Sequence, residues 1–287
     1  MTMFPLSYNT NGLANLSLEQ AAKELVKAGY EGIEIFLDPV HLHPYEITKR
    51  QLRELKRLFD RLPIEVASMA TGGMHVLGPL PFEPSLISPD ARGRKERVDL
   101  ICEALEIANF LSIPAVNFTS GIKHPGVPDD EATDMLLEGV RACLPNVGDA
   151  ILMIEQEPLI PPLPDMFIYR VDQAISLIEE IDSPKLRLSL DVAHAKCRED
   201  DYLEAIARAV PYARHVHVAD IKGRDHHHDI PGESDIDFRS VFQILGDANY
   251  EHYVSVELYW HCDEWEKAVY ESRRYLLEQM KPSEEGS

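Results

Sequence analysis

Eight short apolar, β-branched runs recur along the chain, separated by longer segments with helical periodicity. They are Phe4–Tyr8, Gly32–Phe36, Ile64–Met69, Ala115–Phe118, Ile151–Ile154, Arg187–Leu190, His215–Val218 and Tyr253–Val256. The step between them is about 30–50 residues, the size of one βα unit. Eight such units in 287 residues slightly exceed the length typical of an eight-stranded α/β barrel, about 250 residues. The pattern therefore predicts an α/β chain folded as a single-domain (β/α)8 TIM barrel over 1–280, with 281–287 as a disordered tail. An open doubly wound sheet is the alternative. It usually carries a Gly-rich phosphate turn after the first strand, and here that turn reads Asn9-Thr10-Asn11-Gly12.

The intervening segments carry helix signals of their own. Ser17 and Gln20 form a capping box, Leu18, Ala21, Ala22, Leu25 and Val26 make an apolar stripe, and Gly29 supplies the stop. Further helices are predicted over Gln51–Arg61, Arg94–Leu111, Asp130–Leu144, Tyr169–Glu180, Asp201–Val210, Phe238–Leu245 and Glu264–Gln279. Pro-rich stretches at Gly78–Pro89 and Pro158–Pro164 read as loops on one face of the barrel.

Composition enters by exclusion. A hydrophobic content of 45 % is enough for a large core. With 28 Lys and Arg against 49 Asp and Glu, the net charge is −21, a poor match for a nucleic-acid backbone or for polybasic membrane anchoring. No run approaches the roughly 20 apolar residues of a membrane span, and the start lacks a signal-peptide pattern. Cys102, Cys143, Cys197 and Cys262 are scattered, which argues against a disulfide framework or a Cys-based zinc site and for a cytoplasmic protein. The helix faces leave a homo-oligomer open.

The polar residues at the strand ends carry the chemistry. The fifth run leads into Glu155, the sixth into Asp191-Val192-Ala193-His194, the seventh contains His215 and His217, and the eighth leads into Glu257. In a barrel the C-terminal strand ends converge on one mouth, where active sites sit. Glu155, Asp191, His217 and Glu257 would make an oxygen-rich site with one nitrogen, suited to Mn2+, Mg2+ or Co2+ more than to sulfur-ligated zinc. A cation would also relieve the mutual repulsion of three carboxylates. His215 and His217 point to the same side of a strand, so alternation cannot choose between them.

The stretches Ile151–Pro158, Leu188–Ala195, His215–Gly223, Pro231–Phe238 and Val254–Tyr259, with Gly32-Ile33-Glu34-Ile35, resemble the xylose isomerase-like TIM barrel family, which includes ketose 3-epimerases, inosose dehydratases and the apurinic endonuclease IV. The resemblance implies that Glu155, Asp191, His217 and Glu257 hold a divalent metal, Mn2+ first and Mg2+, Co2+ or Zn2+ as alternatives. It implies that His194 faces the substrate and that Glu155 and Glu257 move the proton of a carbon beside the carbonyl. The expected activity is isomerisation or epimerisation of a sugar, sugar phosphate or cyclitol-type ketone. Dehydration of an inosose or dehydroshikimate-like acid is the alternative, and abasic-site cleavage a third reading that the charge opposes. Where epimerases of the family carry a further glutamate beyond the strand-five ligand, this chain has Pro158-Leu159-Ile160-Pro161-Pro162, with only Glu157 nearby.

Other residues carry two readings each. Glu34 would bond a substrate hydroxyl or sit in the lower core. Asn9, Asn117 and Thr119 would bind hydroxyls or cap loops. Lys123 and Arg224 would meet a phosphate or carboxylate, or stay solvated. Asp220 would orient a metal histidine or cap a helix. His226-His227-His228 reads as a solvated loop or a metal tract, with His228 the candidate ligand. His41, His43 and His75 are unplaced candidates for additional metals.

Overall fold

Eight parallel strands close into a barrel in sequence order: β1 Leu6–Asn9, β2 Gly32–Phe36, β3 Glu65–Ala70, β4 Ala115–Thr119, β5 Ile151–Glu155, β6 Leu186–Asp191, β7 Ala213–Val218 and β8 Val254–Val256. β8 returns to β1 with Leu6 opposite Val254 and Tyr8 opposite Val256. The structure is a computed structural model that describes residues 4–71, 76–78, 80, 82–159 and 163–281. His75 and residues 282–287 of the expected tail lie outside the described residues.

The strands are buried along nearly their whole length, as parallel strands must be when side chains fill the lumen and helices cover the outside. The helices are α1 Leu18–Ala28, α2 Lys49–Phe59, α3 Ala91–Leu111, α4 Asp129–Cys143, α5 Val171–Ile181, α6 Val192–Arg198, α7 Tyr202–Ala209, α8 Phe238–Asp247 and α9 Trp265–Gln279. Local chemistry sets their ends. Ser17 and Gln20 form the expected capping box, and Gly29 adopts the left-handed φ of 88° that ends α1. Thr48 and Gln51 repeat the box at α2, two residues before the predicted start. α1 buries Leu18, Ala21, Ala22 and Leu25, the stripe read from the sequence.

Two differences from the sequence reading bear on the mouth. β5 and β6 each extend one residue further than predicted at their C-terminal ends, so Glu155 and Asp191 occupy the last strand positions rather than loops. Directly after β6 comes the unanticipated α6, whose first turn is held by Asp191 Oδ1 accepting from the His194 backbone N–H at 2.7 Å. Among the described residues, no helix is long and apolar enough to cross a membrane.

Candidate metal centre

The barrel brings four polar side chains onto one spot. Asp191 and His217 are register partners across β6 and β7, and Glu257 follows β8 directly. His217 Nδ1 lies 2.9 Å from Glu155 Oε1 and 3.4 Å from Glu257 Oε2. One donor atom from each of Glu155, Asp191, His217 and Glu257 falls within 4.8 Å of all the others, and all four side chains are buried.

Each carboxylate is held by further groups. Asn117 donates to Glu155 Oε2. Asn9 and Asn11 both donate to Glu257 Oε1, at 3.1 and 2.8 Å. Asp191 spends Oδ1 on α6, and its Oδ2 is buried with no hydrogen-bond partner. Burial raises Glu155, Asp191 and Glu257 above the ordinary carboxylate range, although nearby imidazoles pull the other way. Burial alone would lower His217, but the Glu34, Glu257 and Glu155 carboxylates outweigh it and hold the imidazolium well above its usual range. An orphaned carboxylate oxygen among three buried acids and one imidazole fits a divalent cation, which would replace the protons that otherwise relieve the repulsion.

A second group lies alongside. His194, His226 and His228 are buried, with donor atoms within 4.8 Å of one another. His194 Nδ1 faces the Gln156 carbonyl at 2.8 Å and therefore carries the proton; its Nε2 has no hydrogen-bond partner. Burial, reinforced by the His228 imidazole, holds His194 neutral, well below its ordinary range. His228 Nδ1 donates to the Glu257 carbonyl at 2.8 Å, so its Nε2 is free to accept from His226 Nε2 at 3.1 Å. One proton thus satisfies the His226–His228 contact without an ion. The solvated-loop reading fails for His226 and His228. Of the three only His227 is exposed; His228 is fixed inward by the Glu257 carbonyl, and His226 packs against His194 and His228.

A third group lies below His217, where buried Glu34 contacts both His215 and His217. Burial would raise its carboxyl, but the two imidazoles hold it well below the usual range.

The remaining candidates scatter. Lys123 pairs with Asp129, and Arg224 bonds the Glu199 carbonyl at 2.8 Å and sits 3.5 Å from Asp200; both cations are already engaged. Thr119 is the register partner of Glu155. Asp220 neither orients a metal histidine nor caps a helix. Its carboxylate accepts backbone N–H groups of Ile221, Gly232, Ser234 and Ile236 at 2.9–3.0 Å, clamping the Pro-Gly-Glu loop. His41 bonds Asp38 and the Leu13 carbonyl, and neither His41 nor His43 joins a metal-competent group among the described residues. Sequence reasoning missed Asn11, which a 3-10 turn over Thr10–Leu13 brings beside Asn9. It also left Glu157 without a role, although this carboxyl lies close enough to Glu155, Glu257 and Asp191 to be raised by burial and by their charges.

Comparison with known proteins agrees with this architecture. A family model described as xylose isomerase-like TIM barrel matches residues 22–279. Fructoselysine 3-epimerase from Escherichia coli O157:H7 is 23 % identical over 256 residues, covering 87 % of this chain and 88 % of that protein. Among solved structures, a D-tagatose 3-epimerase-like protein superposes with a TM-score of 0.77 at 19 % identity, over 98 % of this chain and 100 % of the other. An IolI protein with a bound zinc atom gives 0.76 at 18 % identity, over 98 % of each chain.

Proposed function

From the premise that the chain belongs to the xylose isomerase-like TIM barrel family, we propose that it is a divalent-metal-dependent isomerase or epimerase. Its substrate class is a sugar, sugar phosphate or cyclitol-type ketone. The observation that carries this reading is the pair Glu155 and Glu257, 2.9 and 3.4 Å from one His217 nitrogen beside Asp191. The resemblance to a 3-epimerase over most of both chains supports it.

The donor set favours Mn2+, with Mg2+, Co2+ and Zn2+ as alternatives; a zinc-bearing neighbour of the same fold is in keeping with this. When bound, the cation supplies positive charge for the oxygen that becomes negative as the adjacent carbon loses its proton. Glu155 ends β5 and Glu257 follows β8, so two carboxylates can serve one carbon from different sides. If one takes the proton and the other returns one, the carbon inverts; return to the neighbouring carbon by a single carboxylate gives aldose–ketose isomerisation. Each is a carboxylate of the acid–base kind, held by its own hydrogen-bond donors. Asn117 holds Glu155, and Asn9 with Asn11 holds Glu257. The bare Nε2 of His194 can accept from a substrate hydroxyl.

The test is a panel of ketoses, aldoses and inososes incubated in D2O with metal-stripped and Mn2+-loaded protein. Metal-dependent deuterium uptake beside the carbonyl, with formation of an epimer or isomer, is expected. Enone absorbance from an inosose without epimer would replace this reading with a dehydratase. A protein that binds no divalent ion would end it.

A further inference from the structure

Glu34 had two candidate roles in the sequence, and the structure points to a third. It stands in the middle of β2, fully buried. Its Oε2 accepts from His217 Nε2 at 2.9 Å, His215 Nε2 at 3.1 Å and Ser255 Oγ at 2.8 Å. Its other oxygen has no hydrogen-bond partner. His217 is therefore gripped on both nitrogens: Nε2 by Glu34 below, with Nδ1 turned to Glu155 and Glu257 at the mouth.

We infer that Glu34 is the positioning residue of the metal centre: by accepting the Nε2 proton of His217 it fixes the ring tautomer and aims Nδ1 at the cation. A buried carboxylate is costly unless donors compensate it. A bare Nε2 facing Glu34 at 2.9 Å would set a lone pair against an anion, so the contact requires a proton on Nε2. That leaves Nδ1 as the ring's one nitrogen available to a metal, and an anionic acceptor raises its basicity. His215 and Ser255 in turn hold Glu34, and Ser68 Oγ lies 3.3 Å from His215 Nε2, so the support extends across the lumen from β2 to β7, β8 and β3. Three donors at hydrogen-bond lengths satisfy Oε2 without a cation of its own.

This rests on the metal reading above, and the experiment separates the two. Mn2+ affinity is measured by calorimetry on metal-stripped wild type and Glu34→Gln, and the visible spectrum of each is recorded with Co2+. Glu34→Gln is expected to weaken Mn2+ by about 10–100-fold, the usual effect of losing such a partner, and to shift the Co2+ bands. At saturating Mn2+, its kcat should fall while the substrate KM stays within about threefold, because Glu34 touches the ligand rather than the substrate pocket. Glu34→Asp, which keeps the charge on a shorter stem, should fall between the two and carries the test if Glu34→Gln does not fold. Phe242→Leu, in the distant cluster with Phe4 and Phe238, controls for lost stability and should leave metal affinity and spectrum unchanged. A wild type that binds neither ion overturns the metal reading and this inference together. A wild type that binds, with Glu34 variants of equal affinity and identical Co2+ spectrum, overturns this inference alone.

Discussion

Replacing Glu257 by Gln tests the mouth most sharply, because the surroundings dictate how the new amide sits. Glu257 Oε1 takes two donors, Asn9 at 3.1 Å and Asn11 at 2.8 Å, while Oε2 faces His217 Nδ1 at 3.4 Å. Both asparagines demand an oxygen, so the amide oxygen takes the Oε1 place and the NH2 group takes that of Oε2. A ligand atom becomes a donor pointed at the cation position, with almost no change in volume. Two unit charges about 4 Å apart interact by about 4 kcal/mol at an effective dielectric near 20. Against a dication, and allowing for the amide dipole, the expected loss of metal affinity is at least about 2.8 kcal/mol, or about a hundredfold.

Saturating metal repairs that loss but not the missing proton carrier, so kcat should remain down by about 10²–10⁴, the usual worth of one acid–base group. Calorimetry with Mn2+ reads the first quantity. Deuterium exchange into the best substrate of the panel, followed by NMR, reads the second. Unchanged Mn2+ affinity would remove Glu257 from the ligand set. A kcat within tenfold of wild type at saturating Mn2+ would remove it from proton transfer.

Mn2+ affinity should rise with pH above the ordinary carboxylate range: burial raises Glu155, Asp191 and Glu257, and carboxylates hold His217 protonated, so binding releases protons; titrations in buffers of different ionisation enthalpy count them, and a pH-independent affinity contradicts the ligand set. Elemental analysis should find one tightly held ion per chain, since His226 and His228 satisfy each other at 3.1 Å; two or three tight ions would show that the imidazole group is filled. Gly32→Ala should cost about 1–3 kcal/mol by overpacking, because its Cβ would lie 2.9 Å from Ser7 Cβ and 2.5 Å from Tyr253 Cε1; an unchanged melting temperature would mean that the β1–β2–β8 contact yields freely. An abasic duplex should stay intact, in line with a net charge of −21, and incision would reopen the nuclease reading.

How much of this was legible in the sequence follows from the range of the forces involved. The strands were legible because burial on both faces writes each as a short apolar run, and the capping residues of α1 were legible because Ser17 and Gln20 act across three positions. α6 was not: its seven residues show no clear period, and its cap is Asp191, a residue read for the mouth. The sequence left the histidine tract between loop and metal site because the burial of His226 and His228 comes from His194 and the Glu257 carbonyl, far away in the chain. Lys123 and Arg224 look available in one dimension, and only the fold shows Asp129 and the Glu199 carbonyl already engaging them. Glu34 is the extreme case. The sequence shows an acid inside an apolar strand, which demands compensation but names no partner. His215, His217 and Ser255 lie 181 to 221 positions away, and barrel closure alone brings them together. A strand-end rule can therefore find the residues that face the mouth, whereas those that face each other inside the lumen are set by ring geometry.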